Sequence, residues 1–386
     1  MLRNKNKGIT LVALVITIII LLILAGISIS ALTNTWIFQK AKDAKQKSAD
    51  AELDQNTKLD SYENEIDNYL PKQNNNKTVE DAIKEGKDNK PLSTDKNTEL
   101  KDAKENKIVV PAGFKVTEDA TTVDQGIVIE DVTSGATAGS QFVWIPVGII
   151  TKADGTTVDI KLNRYTFDSD GKETPQNESI VETYFSETES KGNTVAKSIS
   201  NFKSSVATNG GYYIGRYEAR TTTARNDEGN ALTQITEKGT DQIYNYVTQI
   251  QAAQQAQGMY KSSNFTSDLM NSYAWDTATL FLQSCGTNTK YSRQTSLNSS
   301  LLQTGTNTLT ETNKIDKQCN IYDMASNIKE WTTETALYNS NGSSFPCVRR
   351  GDSYYYDGWP RLHEQSRRPQ PFRQRQRPSV SVHFYM

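Results

Sequence analysis

Histidine and cysteine are scarce in this chain. Of its 386 residues only two are histidine, His363 and His383, and both lie near the C-terminus. The three cysteines, Cys285, Cys319 and Cys347, show no CxxC or similar metal-ligand spacing. These absences argue against a zinc site and against a Ser-His-Asp triad. They leave open whether two of the cysteines form a disulfide or all three are ordinary buried thiols.

The chain also has no large excess of positive or negative charge. Lysine and arginine number 43 against 45 acidic residues, which gives a formal net charge of -2. We therefore expect no nucleic-acid partner. Hydrophobic residues make up 35% and are unevenly distributed. The length allows two domains, or one large domain with attached segments.

The longest uncharged run follows a basic N-terminus. Arg3 belongs to that basic end, and no charged residue occurs between Lys7 and Lys40. Residues 9–32 are enough for a helix to cross a hydrocarbon core of ~30 Å, and the basic flank favours the cytoplasmic side. We predict a transmembrane helix over 9–35 in a single-pass cell-membrane protein with its C-terminal domain outside. A cleaved secretory signal fits less well, because the run is long and lacks a small-residue exit site.

Lys7-Gly8, directly before the uncharged run, resembles the leader of type IV prepilins. The resemblance implies that residues 1–8 are removed by a prepilin peptidase between Gly8 and Ile9, and that other pilin subunits are partners. Pilins usually carry Glu at the fifth mature position, where this chain has Ala13. Without that carboxylate a minor or pilus-associated pseudopilin is favoured over a major pilin.

Two polar segments follow. Residues 36–70 are rich in Lys, Asp, Glu, Ala and Gln and end before Pro71, which predicts a helical stalk. Its apolar residues fall at helical spacing; they are Leu59, Tyr62, Ile66 and Tyr69. Residues 71–107 have few apolar residues and no clear period, so we expect a flexible tether with one short helix near 79–84.

A domain rich in short strands is expected over 108–386. Its runs "GIVIEDV", "QFVWIPVG" and "GGYYIGRYEAR" are typical of strands. The segment "NSYAWDTATLFLQSC" predicts a helix capped by Asn271 or Ser272. Few other helix signals appear, so an irregular α+β domain is predicted.

Five segments of this domain resemble formylglycine-generating-enzyme-like (sulfatase-modifying factor) domains. They are, in order, "FVWIPVG", "GGYYIGRYEAR", "LMNSYAWDTATLFLQ", "NIYDMASNIKEWTTET" and "VRRGDSYYYDG". The resemblance covers 109–358 and implies a C-type-lectin-like fold. The expected fold class is therefore α+β, with an N-terminal transmembrane, pilin-like helix followed by a C-type-lectin-like domain.

In that family the element similar to "YDMASNIKEW" surrounds a calcium ion. The resemblance implies carboxylate ligands from Asp323 and Glu330 and carbonyl ligands from Ser326 and Ile328. Calcium takes roughly six to eight oxygen ligands, so the residue types suit a structural calcium ion. Ser326 replaces the glycine that the family has there. The alternative is a capped turn with a buried Trp331 and a surface Glu330.

Catalysis is not expected. Active members of the family hold copper through a pair of cysteines near the C-terminus, and no cysteine follows Cys347 here. The segment "SYYYDGW" instead resembles the aromatic binding patch of variable proteins diversified by retroelements. The residues predicted to contact a ligand are Tyr354, Tyr355, Tyr356 and Trp359. An ordinary strand with alternate buried tyrosines is the alternative.

The composition changes at the end of the chain: no Lys follows Lys329, and the last residues are rich in Arg, Gln and Pro. A basic tail for anionic surfaces is one explanation. A retroelement-diversified region is a second, but mutation of adenines in Asn codons does not produce the Gln, Glu and Trp found here. A third is a frameshift near Gly358, so that 358–386 are out of register. The prolines in this segment would interrupt a closing strand, which favours the frameshift.

These patterns predict a membrane-anchored or pilus-associated surface protein that presents a non-catalytic ligand-binding domain. Adhesion or recognition of an extracellular protein or glycan would be its role. A structural minor pilin is the first alternative. A formylglycine-generating-type oxidase is the second, and it lacks the cysteine pair that this chemistry requires.

Overall fold

The structure, a computed structural model, describes most of the chain from residue 77 onward and short stretches before it. The described residues are 15–24, 47–48, 51, 55, 58, 77–176, 183–184, 194–195, 199–223, 231–247, 249–294, 316–335 and 347–351. The chain divides into two compact units, Met1–Asn75 and Asn76–Met386.

In the first unit the longest described helical run is residues 15–24. Its apolar side chains are exposed, as at Leu22 (68%). None of the helices that the structure describes is both long and apolar enough to span a bilayer. This finding contradicts the predicted transmembrane helix over 9–35 and the single-pass membrane location.

Other N-terminal predictions fall outside the described residues. Gly8 and Ile9, the predicted cleavage site, are not among them. Of the predicted stalk, only residues 47–48, 51, 55 and 58 are described, and each is helical and exposed. The leader cleavage and the stalk therefore stay predictions.

The second unit contains four α-helices, two 3-10 helices (Val123–Gln125 and Tyr291–Arg293) and eighteen short strands among its described residues. The α-helices are α1 (Val79–Gly86), α2 (Ile199–Asn209), α3 (Gln249–Met259) and α4 (Ser272–Cys285). The first nine strands are β1 (Thr98–Lys101), β2 (Lys107–Val110), β3 (Phe114–Val116), β4 (Val128–Asp131), β5 (Gln141–Pro146), β6 (Gly148–Thr151), β7 (Thr157–Ile160), β8 (Arg164–Phe167) and β9 (Glu173–Gln176). The others are β10 (Thr183–Tyr184), β11 (Thr194–Val195), β12 (Gly211–Gly215), β13 (Arg220–Thr221), β14 (Gln242–Ile243), β15 (Lys317–Gln318), β16 (Ile321–Tyr322), β17 (Glu330–Thr335) and β18 (Cys347–Arg350).

The strands form mostly small antiparallel sheets. One sheet has four strands in the order β12-β5-β4-β3, and the remaining described strands form antiparallel pairs. The observed fold is thus a set of small sheets with few helices. It contradicts the predicted fold class, in which a transmembrane helix precedes a C-type-lectin-like domain, because the described chain contains no such helix.

The four-stranded sheet is buried on both faces. In β5, Phe142 and Trp144 belong to one hydrophobic cluster, while Val143 and Ile145 belong to the other. Successive side chains of a strand point to opposite faces, so a strand covered on both sides is apolar throughout. This explains why "FVWIP" shows no polar alternation. Helix α4 contributes to the second cluster, and its predicted cap is confirmed: Asn271 Oδ1 accepts a hydrogen bond from the Ala274 amide at 2.9 Å.

The short helix predicted near 79–84 is present as α1, but the rest of the predicted tether differs from what is observed. Residues 77–107 contain α1 and β1, and Val79, Ala82 and Leu100 are buried in the first cluster. Thr78 caps α1 by accepting a hydrogen bond from the Asp81 amide at 3.1 Å. A few well-spaced apolar residues are thus enough to fold a segment that is polar on average.

Candidate functional site

Four carboxyl groups and one guanidinium group are buried together beside β13. We call this group the acidic cluster, and each member is at most 3% exposed. Its members are Glu218, Arg220, Glu237, Asp323 and Glu330. They come from three separate parts of the chain: the start of β13, the strand-like residues paired with it, and the turn between β16 and β17. Charged groups of this kind are almost never fully buried unless they are paired.

Backbone pairing brings Glu237 beside Arg220. The Arg220 amide donates to the Thr236 carbonyl and the Thr236 amide donates to the Arg220 carbonyl, both at 2.8 Å. The Arg220 side chain donates one hydrogen bond through Nη1, to the Asp241 carbonyl at 3.3 Å. Nε and Nη2 of Arg220 have no hydrogen-bond partner in the structure as described.

The turn over residues 323–328 is folded tightly. The Ser326 amide donates to the Asp323 carbonyl, and the Ser326 hydroxyl donates to Asp323 Oδ1, both at 3.1 Å. Asp323 (φ +55°) and Asn327 (φ +67°) adopt the left-handed conformation. Asp and Asn tolerate this region better than other non-glycine residues. Serine at 326 therefore does not prevent the turn, because other residues supply its left-handed positions.

Glu218 stabilises this turn by accepting two hydrogen bonds from it. Its Oε1 accepts a hydrogen bond from the Ile328 amide at 3.0 Å. Its Oε2 accepts a hydrogen bond from Asn327 Nδ2 at 2.6 Å. One buried carboxylate thus satisfies two donors that would otherwise be buried without a partner.

The acidic cluster carries an excess of negative charge. Burial, and then the charges of Asp323 and Glu330, raise the pKa of Glu218 well above its ordinary value. Burial also raises the pKa of Glu237 well above its ordinary value, although nearby Arg220 opposes this. Burial lowers the pKa of Arg220 itself. Four carboxyl groups thus lie around one described guanidinium, an arrangement that favours the binding of protons or of a cation.

Glu237 has a further peculiarity. Its side chain is completely buried, and neither carboxyl oxygen has a hydrogen-bond partner among the described residues. A Cβ atom at position 215 would lie 2.6 Å from Glu237 Oε2, so Gly215 makes the room that the carboxyl group occupies. A buried polar group without hydrogen bonds is costly. The cluster thus holds oxygen atoms that are available to a ligand.

Asp316 supports the turn from the other side. Its Oδ2 accepts hydrogen bonds from the Tyr291 hydroxyl at 3.0 Å, the Ala325 amide at 3.1 Å and the Ser326 hydroxyl at 3.3 Å. Burial, and then the charge of Asp323, raise the pKa of Asp316 to about 7. The carboxyl group is therefore close to half-protonated at neutral pH.

The four predicted calcium ligands lie in this turn and at the start of β17. Asp323, Ser326, Ile328 and Glu330 are all buried. The alternative of a surface Glu330 is wrong, since that residue is 2% exposed. Within the described ranges, no three His, Cys, Asp or Glu side chains are grouped so that they could hold a metal ion. A calcium ion would accordingly need carbonyl oxygens and water beside the carboxylates, as the predicted ligand set provides.

Sequence reasoning missed Glu218, Arg220 and Glu237. Glu218 and Arg220 lie in "GRYEAR", where alternating charges resemble the solvent face of a strand. Because Tyr217 and Ala219 alternate with these charges, the segment gave no local signal that the charged face is also buried. Glu237 gave no signal, because its local sequence "TEKGT" is that of an ordinary surface turn.

A half-buried aromatic pair adjoins the cluster. Tyr217 and Tyr322 are stacked, with ring centroids 5.1 Å apart and ring planes inclined by 23°. Arg216 lies 5.5 Å and 5.7 Å from the two ring centroids, and Lys317 Nζ lies 5.2 Å from that of Tyr322. The two tyrosines directly precede Glu218 and Asp323. The position of the aromatic pair therefore depends on the structure of the cluster.

A second buried ionic group is balanced in charge. Arg164 and Arg350 form ion pairs with Glu334, and Arg350 also pairs with Asp276 at 2.6 Å. Two guanidinium groups here face two carboxylates. The acidic cluster, by contrast, has four carboxyl groups and one guanidinium among its five members.

The predicted ligand-contact residues are not among those described. Tyr354, Tyr355, Tyr356 and Trp359, together with the suspected frameshift over 358–386, fall in this category. Searches of family models, curated proteins and solved structures found no match to the sequence. The resemblances to prepilins and to formylglycine-generating-enzyme-like domains therefore stay predictions.

Proposed function

We propose that this chain is a non-catalytic ligand-binding protein whose binding surface is positioned by a structural calcium ion in the acidic cluster. The observation that carries the proposal is the burial of four carboxyl groups around one guanidinium, with neither carboxyl oxygen of Glu237 hydrogen-bonded among the described residues. A divalent cation would remove this imbalance, and oxygen-rich sites suit calcium.

The ligand set consists of side-chain and backbone oxygens. Asp323 and Glu330 would supply carboxylates, and Ser326 and Ile328 would supply carbonyl oxygens. Glu218 is engaged with the Ile328 amide and the Asn327 side chain, so it would orient the turn rather than enter the first coordination sphere. Bound calcium would supply charge compensation and rigidity at this turn.

The proposed binding function rests on the aromatic pair and the arginine that lie beside the turn. Tyr217 and Tyr322 present a stacked pair of large, stiff side chains with polar tips, a residue type common at recognition surfaces. Arg216 donates two hydrogen bonds to Asp119, at 2.9 Å and 2.7 Å, which fix its guanidinium group beside the two rings. Calcium occupancy would order this surface through the neighbouring Glu218 and Asp323.

The chemistry of two cysteines supports the absence of catalysis. Burial raises the pKa of the Cys285 thiol to about 12 and that of the Cys319 thiol well above its ordinary value. Reactive and copper-binding cysteines are thiolates, which need lowered pKa values. These two thiols stay protonated at neutral pH and are poor candidates for the oxidase chemistry.

Thermal unfolding with and without calcium tests the proposal. Wild-type protein in EDTA should melt at a lower temperature than in excess CaCl2, since a ligand that binds only the folded state stabilises it. At a calcium concentration of about 100 times Kd the gain is about 2.7 kcal/mol. Asp323→Asn and Glu330→Gln should lose most of this difference.

The matched control is Asp102→Asn. Asp102 is also a buried carboxylate, but it accepts hydrogen bonds from the amides of Asn106 and Val123, both at 2.9 Å, away from the cluster. This variant should melt lower than wild type and keep the full calcium difference. A wild-type protein with the same melting temperature in EDTA and in calcium would contradict the proposal.

A further inference from the structure

Two of the three cysteines lie in segments that contact each other in the fold, and Cys285 acts electrostatically on Cys319. Cys285 is the last residue of α4, and Cys319 lies in the turn that joins β15 to β16. Both are partly exposed, and both pack against the same hydrophobic cluster. The sequence separates them widely, so their proximity is a product of the fold.

Hydrogen bonds between their chain neighbours fix this arrangement. Gln318 Oε1 accepts hydrogen bonds from the Thr287 amide at 2.9 Å and the Asn288 amide at 3.3 Å. A Cβ atom at position 286 would lie 2.2 Å from the same oxygen, so Gly286 permits the close approach. The residues directly after Cys285 are thereby bound to the residue directly before Cys319.

The electrostatics of the two thiols agree with this geometry. Burial is the main cause of the raised pKa of Cys319, and the neighbouring Cys285 is the next. For Cys285, burial is again the largest cause, followed by the charge of Asp124. The folded protein thus disfavours a thiolate at either sulfur. If both cysteines are still thiols once the protein has folded, they should react slowly at neutral pH.

We propose that Cys285 and Cys319 form an intramolecular disulfide during folding in an oxidising environment. The bond would tie the C-terminal end of α4 to the β15–β16 turn. Strand β16 and then Asp323 of the acidic cluster follow that turn in the chain, so the disulfide would limit the motion of this part of the candidate site. Cys347, in β18, would keep its thiol.

The bond forms by two exchange steps with a small disulfide such as oxidised glutathione. One cysteine thiolate attacks a glutathione sulfur, which gives a mixed disulfide and releases one glutathione. The second cysteine then attacks the protein sulfur of that mixed disulfide and releases the second glutathione. The two cysteines are oxidised, the glutathione disulfide is reduced, and the two thiol protons are transferred to the released glutathiones.

The experiment uses the full chain, refolded from urea in a buffer of oxidised and reduced glutathione. The remaining thiols are alkylated, and the peptides are mapped by non-reducing mass spectrometry. A parallel sample stays in urea throughout. There the shortest loop joins Cys319 to Cys347, so loop entropy favours that pairing in the unfolded chain. The refolded protein should instead yield the Cys285–Cys319 peptide pair, with Cys347 alkylated.

Variants and stability complete the test. Cys347→Ser should form the same bond in the same yield, whereas Cys285→Ser and Cys319→Ser should retain two alkylated cysteines. The oxidised protein should melt on the order of 5 °C above the reduced one. Refolded protein that retains all its thiols, or that pairs either cysteine with Cys347, would overturn the proposal. The calcium difference in melting temperature is measured with the protein kept reduced, so that failure of one proposal leaves the other testable.

Discussion

At the scale of single residues, the protein keeps ionisable groups in places where their charge is disfavoured. Asp316 is completely enclosed, accepts three hydrogen bonds, and has a pKa of about 7. The ordinary pKa of an aspartate side chain, 3.8, represents the unfolded chain. Such a difference links folding to proton uptake.

The stability of calcium-free protein should therefore fall as pH rises through this window. Between pH 3.8 and about 7 the folded state holds a proton on Asp316 that the unfolded state has lost. The slope of the unfolding free energy against pH follows the protons bound in the unfolded state minus those bound in the folded state, so it is negative here. The contribution is full below 3.8 and lost above about 7.

Urea denaturation in EDTA at several pH values measures this dependence. Asp316→Asn keeps an acceptor oxygen for Tyr291 and Ala325 but cannot titrate. Its free energy of unfolding should decline less between pH 4 and 7 than that of wild type. An identical slope in both proteins would show that Asp316 does not titrate as described.

At the scale of elements, buried carboxylates stabilise turns by accepting hydrogen bonds from them. Glu218 holds the 323–328 turn through the Ile328 amide and the Asn327 side chain. Truncation of this carboxylate leaves two buried donors without a partner. Glu218→Ala should lower the unfolding free energy by about 2–5 kcal/mol, as seen when buried hydrogen bonds lose one partner.

The control for this variant is Glu99→Ala. Glu99 lies on β1, with a 58% exposed side chain, and pairs with Lys107 at 2.8 Å. Exposed ion pairs contribute little, so the change should stay within about 1 kcal/mol. Equal losses in the two variants, measured by urea denaturation, would contradict the role given to Glu218.

A pair of glycine variants tests the packing of the central sheet. A Cβ atom at Gly211, in β12, would lie 2.4 Å from the Trp144 ring and 2.5 Å from the Ile145 carbonyl oxygen. Gly211→Ala should therefore cost about 1–3 kcal/mol, as overpacking does. At Gly258, in α3, no heavy atom of the described structure lies within 4 Å of the added Cβ.

Gly258→Ala should consequently be neutral or stabilise the protein by up to about 1 kcal/mol, because alanine favours the helix. The melting temperatures of the two variants, compared with wild type, give the result. If the Gly211→Ala variant has a melting temperature as high as that of Gly258→Ala or higher, then β12 does not lie against Trp144 as described.

At the scale of the whole molecule, the sequence predicted the apolar elements better than the polar ones. Strands β5 and β12 and helix α4 were predicted because their apolar runs or caps are local signals. Residues 77–107 were expected to be a tether, since only scattered residues such as Val79 and Leu100 reach the core. The transmembrane helix was predicted from the apolar run 9–32, but none of the described helices is long and apolar enough to span a bilayer.

The candidate site was predictable only in part, for a physical reason. Asp323 and Glu330 lie in one short motif, so a resemblance could identify them. Glu218 and Glu237 join them through tertiary contacts from distant parts of the chain. A charged residue in sequence resembles a solvated one, and only the fold reveals that it is buried. The same limit applies to Cys285 and Cys319.

Isothermal titration of metal-free protein with CaCl2 at pH 7.5 tests the central claim most directly, with MgCl2 as the comparison ion. The proposal predicts saturable binding of one calcium ion per chain that is weakened at least tenfold in Asp323→Asn. It also predicts proton release, seen as a buffer-dependent heat, because the raised pKa values of Glu218 and Glu237 leave protons for calcium to displace. Absence of binding to the folded wild-type protein would contradict the account, and the acidic cluster would then be neutralised by protons alone.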